Sequence, residues 1–97
     1  MRSWTTDLSG LKEKRMFEED EYITPTITHR PFHVVFRSKS GHIRSVLGDL
    51  FPDGQLDWVH LENINKQDDY LVTCWDYERE KWVSFYKSKV IAYKELQ

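Results

Sequence analysis

Asp69–Leu96 reads DYLVTCWDYEREKWVSFYKSKVIAYKEL, and the way its apolar residues alternate decides the fold. Two apolar runs flank a charged turn, and a third run follows a short break. The turn Tyr77-Glu78-Arg79-Glu80 contains no Gly, so a loop of even length built on a type I turn is the simplest connection. With Asp76 opposite Lys81, Trp75 falls opposite Trp82, Cys74 opposite Val83, Thr73 opposite Ser84 and Val72 opposite Phe85. This register sorts the side chains. Val72, Cys74, Val83 and Phe85 share a face suited to a core, while Thr73, Trp75, Trp82 and Ser84 share the other. A slip of one residue would exchange every face, so the sorting itself argues for the register. Lys87-Ser88-Lys89 is too short to cross a sheet but suits one 3₁₀ turn, after which Val90 to Lys94 forms a final strand.

Upstream, Pro31 to Arg37 predicts a strand with Phe32, Val34 and Phe36 on one face and His33, Val35 and Arg37 on the other. Ser38 to Gly41 is the turn, with Gly41 free to take positive φ. His42 to Leu47 is the return strand, ended by Gly48. Phe51-Pro52-Asp53-Gly54 is a further turn. Leu56 to Leu61 fits either a short strand or a single helical turn, because neither face is wholly apolar, and Asn63 to Asp69 reads as polar loop. An excursion of this length between strands often carries function. Five short strands, tight hairpins and one 3₁₀ connector predict a mainly β chain: a small five-stranded SH3-like or Sm-like barrel, with an open β-meander as the alternative.

Residues 1–29 differ in character. They hold four Lys/Arg and six Asp/Glu, so the whole net charge of −2 resides there and the remainder is neutral. Leu11 to Asp20 is rich in helix formers, with Asp7 or Ser9 available as a cap, so an N-terminal arm or short helix is expected over 1–29 and the barrel over 30–97. Tyr22 to Arg30 is β-branched and contains Pro25, which suits an extended connector.

Composition narrows the function classes. Four Trp, five Tyr and five Phe in 97 residues supply the large buried areas that a small core needs. A net charge of −2 is unlike a binder that grips nucleic acid without regard to sequence, where phosphate neutralisation drives affinity. The single Cys74 forbids a disulfide within the chain, and no apolar run approaches the ~18 residues of a membrane span. A reducing, cytoplasmic location without membrane attachment is the expectation. His29 and His33 stand four apart but flank Pro31 in extended chain and lack the Glu of HExxH, so no metal site is expected. There is no Gly-rich phosphate loop or GxSxG elbow, and no catalytic activity or cofactor is expected.

Two blocks carry a family resemblance. One is Phe36-Arg37-Ser38-Lys39-Ser40-Gly41-His42-Ile43-Arg44; the other joins Val72-Thr73-Cys74-Trp75-Asp76, Lys81-Trp82-Val83-Ser84-Phe85 and Lys89-Val90-Ile91. Over residues 31–94 the chain resembles the small Sm-like, SH3-barrel proteins related to WYL domains, many of them from bacteriophages. The resemblance implies the barrel fold. It also implies nucleotide or nucleic-acid binding through basic residues, although Val83 and Lys89 stand where the family often has Arg.

Two sets of residues are candidates for function. Trp75 and Trp82, with Arg79 in the turn between them, would anchor a protein partner, a host protein if the chain is viral; Trp4, Leu8 or Leu11 could instead cover the two rings. Arg37, Lys39, His42 and Arg44 lie in a hairpin with no acid between Arg30 and Leu47, and with Lys89 they would bind nucleic acid or nucleotide. Self-association through sheet edges is a third expectation.

Overall fold

The computed structural model describes residues 21–96, and the expected N-terminal helix over 11–20 lies outside them. The described residues are mainly β, with five antiparallel strands and one short helix. The strands are β1 (Phe32–Arg37), β2 (Ile43–Asp49), β3 (Leu71–Asp76), β4 (Lys81–Tyr86) and β5 (Val90–Glu95). Helix α1 (Trp58–Lys66) lies between β2 and β3, and a 3₁₀ turn, Lys87–Lys89, joins β4 to β5. The strand order is β4-β3-β2-β1-β5.

This arrangement is compatible with a small barrel, but the sheet does not close. β4 and β5 are its two edges, with no ladder between them. The split lies between β2 and β3, which share only the register pairs Gly48↔Asp76 and Asp49↔Trp75 before the chain leaves for α1. The long excursion therefore takes the place of further β2–β3 ladder.

The β3–β4 hairpin has the register expected from its alternation, from Leu71↔Tyr86 to Asp76↔Lys81. Val72, Cys74 and Phe85 are fully buried and Val83 packs half-buried against them. Phe32, Val34 and Phe36 of β1 fill the same core, joined by Ile27, Val46, Leu50, Leu61, Ile64 and Val90. Phe85 stacks on Phe36 at 5.2 Å between centroids and meets Phe32 edge-on at 6.4 Å. Each such burial contributes about 1.5–3 kcal/mol before entropy is counted. Gly41 takes φ +90, as the β1–β2 turn requires.

Of the two readings open for Leu56 to Leu61 the helical one holds, from Trp58 onward, whereas the string expected as polar loop is corrected, being helical as far as Lys66. The cause is Asp57, whose Oδ1 accepts the His60 N–H at 3.0 Å as an N-cap, together with Leu61 and Ile64, three residues apart and both buried. At the other end Lys87, itself buried, donates Nζ to the Ile64 and Gln67 carbonyls at 3.0 and 2.9 Å. The 3₁₀ turn thus satisfies carbonyls that the end of α1 leaves open. Gly48 does not end β2 but lies inside it, where its lack of a side chain admits Cys74.

Residues 21–31, ahead of β1, form no regular element, yet they are tied to the domain. Ile23 N–H donates to the Val90 carbonyl at 2.9 Å, and Asn65 both accepts from and donates to the Ile27 backbone at 2.8 and 2.9 Å. The Tyr93 hydroxyl accepts the Thr28 N–H at 2.9 Å.

Candidate binding groove

The outer face of β3–β4 carries Thr73 opposite Ser84, bonded through their hydroxyls at 2.9 Å, and Trp75 opposite Trp82. The two indoles meet edge to face, 5.4 Å between centroids at 74°. Such a pair stabilises a hairpin by roughly 0.2–1 kcal/mol. Trp75 is half-buried, but Trp82 remains 53 % exposed, far more than a structural indole needs.

Facing the indoles is the chain that runs from β2 into α1. Leu50, Phe51, Pro52, Asp53, Gln55, Asp57 and His60 form the opposite wall of a groove of about 610 Å³, with Trp75 and Trp82 as the near wall. This wall is built by short-range bonds. The Phe51 N–H donates to Asp49 Oδ1 at 3.0 Å, and Gly54 N–H closes a turn onto the Phe51 carbonyl at 2.9 Å with φ +80. Asp53 Oδ1 accepts the Gln55 N–H at 3.1 Å. The Phe51 and His60 rings meet edge-on at 6.5 Å, and His60 meets Tyr70 at 6.4 Å.

The two walls are pinned together at one end. Tyr77, the first residue of the hairpin turn, donates its hydroxyl to buried Asp49 Oδ2 at 2.7 Å, and its N–H bonds the Leu47 carbonyl at 3.0 Å. The bond to Asp49, then burial and the nearby Asp49 charge, push the Tyr77 phenol up to about 12. The hairpin turn itself is organised by Asp76. It stands opposite Lys81 in the ladder, yet its Oδ1 accepts the Glu78 and Arg79 N–H groups at 2.9 and 3.0 Å and its Oδ2 pairs with Arg79 at 2.7 Å. Burial works to raise the Asp76 carboxyl, but the Arg79 side-chain bond, the two N–H bonds and the Arg79 charge together hold it below the usual carboxylate value. Arg79 therefore serves the turn and does not line the groove.

The basic candidates gather elsewhere, where the β1–β2 hairpin meets the end of β4. Arg37, Lys39, Arg44 and Tyr86 line one cleft of about 250 Å³, and Arg37, Lys39, Tyr86 and Lys89 line an adjoining one of about 330 Å³. No carboxylate is among the lining residues of either. Lys89 also lies 5.0 Å over the Tyr22 ring. Arg37 bonds the Gly41 carbonyl across its own hairpin. His42 stands apart, exposed and bonded to Ser40 at 3.1 Å.

The rest of the chemistry is quiet. Cys74 is buried; burial first, and then the Asp76 charge, push its thiol up to about 12 against a weaker opposing bond from the Asp49 backbone, so it is a thiol at neutral pH. Among the described residues, no group of three or more His, Cys, Asp or Glu side chains converges to hold a metal ion. No described helix is long and apolar enough to cross a membrane. Trp75 and Trp82 thus line one groove, while Arg37 and Lys39 line both adjoining clefts, with Arg44 in one and Lys89 in the other. The missed residues are Phe51, Pro52 and His60. The Phe51–Gly54 turn signal marked the excursion that carries them, but where it folds back over the hairpin it is tied by the bond from Tyr77 to Asp49, 28 positions away. Comparison with family models, curated proteins and solved structures returns no match.

Proposed function

We propose that this chain is a non-catalytic binding module that captures a protein partner in the Trp75/Trp82 groove. The observation that carries the reading is Trp82, 53 % exposed on the β3–β4 hairpin and walled by Phe51, Pro52 and His60. A preformed apolar groove with a half-open Trp is the pattern of an interaction anchor. Kinship to the WYL-related, Sm-like proteins of phages belongs to the same reading. The module would then act in the host cytoplasm and modulate a host protein.

The second reading is favoured by a separate observation: four cations around Tyr86 with no lining carboxylate. That cleft suits phosphate with a base stacked beside it. Affinity capture from lysate, with and without nuclease, separates the two. The protein-binding reading expects a partner retained through nuclease and through Arg37→Ala/Arg44→Ala, and lost with Trp82→Ala. Loss with nuclease and with the Arg variants, but not with Trp82→Ala, would instead select nucleic acid.

A further inference from the structure

The lining of the Trp75/Trp82 groove is chemically lopsided. It offers aromatic and apolar surface from Leu50, Phe51, Pro52 and the two indoles, and two carboxylates, Asp53 and Asp57. It contains no Lys or Arg. Both carboxylates use Oδ1 for a local backbone bond, to Gln55 and His60 respectively. Neither takes part in an ion pair among the described residues, and Oδ2 of each accepts no hydrogen bond there. The groove thus presents open carboxylate oxygens beside an exposed indole face.

That combination selects a cation with an apolar neighbour. Over an indole a guanidinium is favoured twice, by the ring quadrupole and by flat stacking, and its fork can bond a carboxylate at the same time. An ammonium gains less from stacking, and an acidic segment meets two like charges. We infer that the occupant of the groove is a partner segment presenting an arginine flanked by apolar residues, the arginine lying on Trp82 and paired with Asp53 or Asp57. This rests on the groove being the binding site.

The test pans a displayed library of random decapeptides against the whole chain. The inference expects enrichment of peptides with Arg beside an apolar residue. Replacing that Arg by citrulline, which keeps the shape without the charge, should weaken binding at least tenfold. Asp53→Asn/Asp57→Asn should weaken the Arg peptide similarly and leave the citrulline peptide unchanged. Asn retains both the helix cap and the turn bond, so folding is preserved, and the thermal midpoint checks this. Equal binding of Arg and citrulline peptides, or enrichment of acidic ones, overturns the inference; where those peptides still need Trp82, the groove remains the site. A library yielding no basic binder that depends on Trp82 also overturns it, and the lysate capture decides the groove by itself.

Discussion

Gly48 is where a single atom decides the packing. A Cβ built there would stand 2.7 Å from Cys74 Sγ and 3.2 Å from Phe32 Cε1, inside a core with no slack. Gly48→Ala is expected to destabilise the protein by about 1–3 kcal/mol in denaturant unfolding. Removing the sulfur in Gly48→Ala/Cys74→Ala should recover part of that loss, and additive costs would mean the clash is not the cause. Asp76 is decisive through charge instead. Its folded pKa lies below its unfolded one, so its contribution is present above about pH 4 and is lost as pH falls through the folded value. Asp76→Asn keeps an oxygen for the turn N–H groups but not the pairing with Arg79. It should cost about 1–3 kcal/mol at pH 7. The two stability curves should converge in acid below pH ~4, and parallel curves would remove Asp76 from the acid transition.

At the scale of elements, the hairpin was the most legible part of the chain. Its alternation is strict, and one slip would have exposed Val72, Cys74 and Phe85 together. The turn was legible in length but not in wiring: Asp76 chooses Arg79 within the turn over Lys81 across it, because the nearer guanidinium arrives with two N–H donors on the same carboxylate. Helix α1 was only half legible. A helical turn was one of two readings for Leu56 to Leu61, but Ile64 is isolated among Asn residues, and its partners in the core come from other elements. The turn also contains a local conflict. Glu80 sits at φ +56, where a side chain is penalised, and closes the loop by donating its N–H to the Asp76 carbonyl at 2.7 Å. Glu80→Gly is expected to stabilise the hairpin by about 0.5–1 kcal/mol, seen as a slower unfolding rate. Destabilisation would show that Gly's extra freedom in the unfolded chain outweighs the relief.

Across the whole molecule, the strands form two blocks. β5, β1 and β2 form one, with β1 bonded on both sides; β3 and β4 form the other. The blocks share the Phe85 contacts in the core, but their backbones are joined only around Gly48 and Asp49, beside the Tyr77 clasp. The proposed groove spans this junction, with one wall on the β3–β4 block and the other on the chain leaving β2. A site so placed inherits the stability of the junction and not that of the core. Native-state hydrogen exchange should therefore find the highest protection at Val34 and Val35 and a lower, shared opening free energy across Val72 to Ser84. Tyr77→Phe removes a bond to a buried carboxylate. It should lower protection of the β3–β4 block by about 1–2 kcal/mol, on the order of tenfold in exchange rate, and leave Val34 and Val35 nearly unchanged. A uniform drop at every amide would mean that the shared core makes the two blocks a single cooperative unit. A drop confined to the hairpin, accompanied by weaker binding to any Trp82-dependent partner, would place the control of the groove in the Tyr77–Asp49 bond.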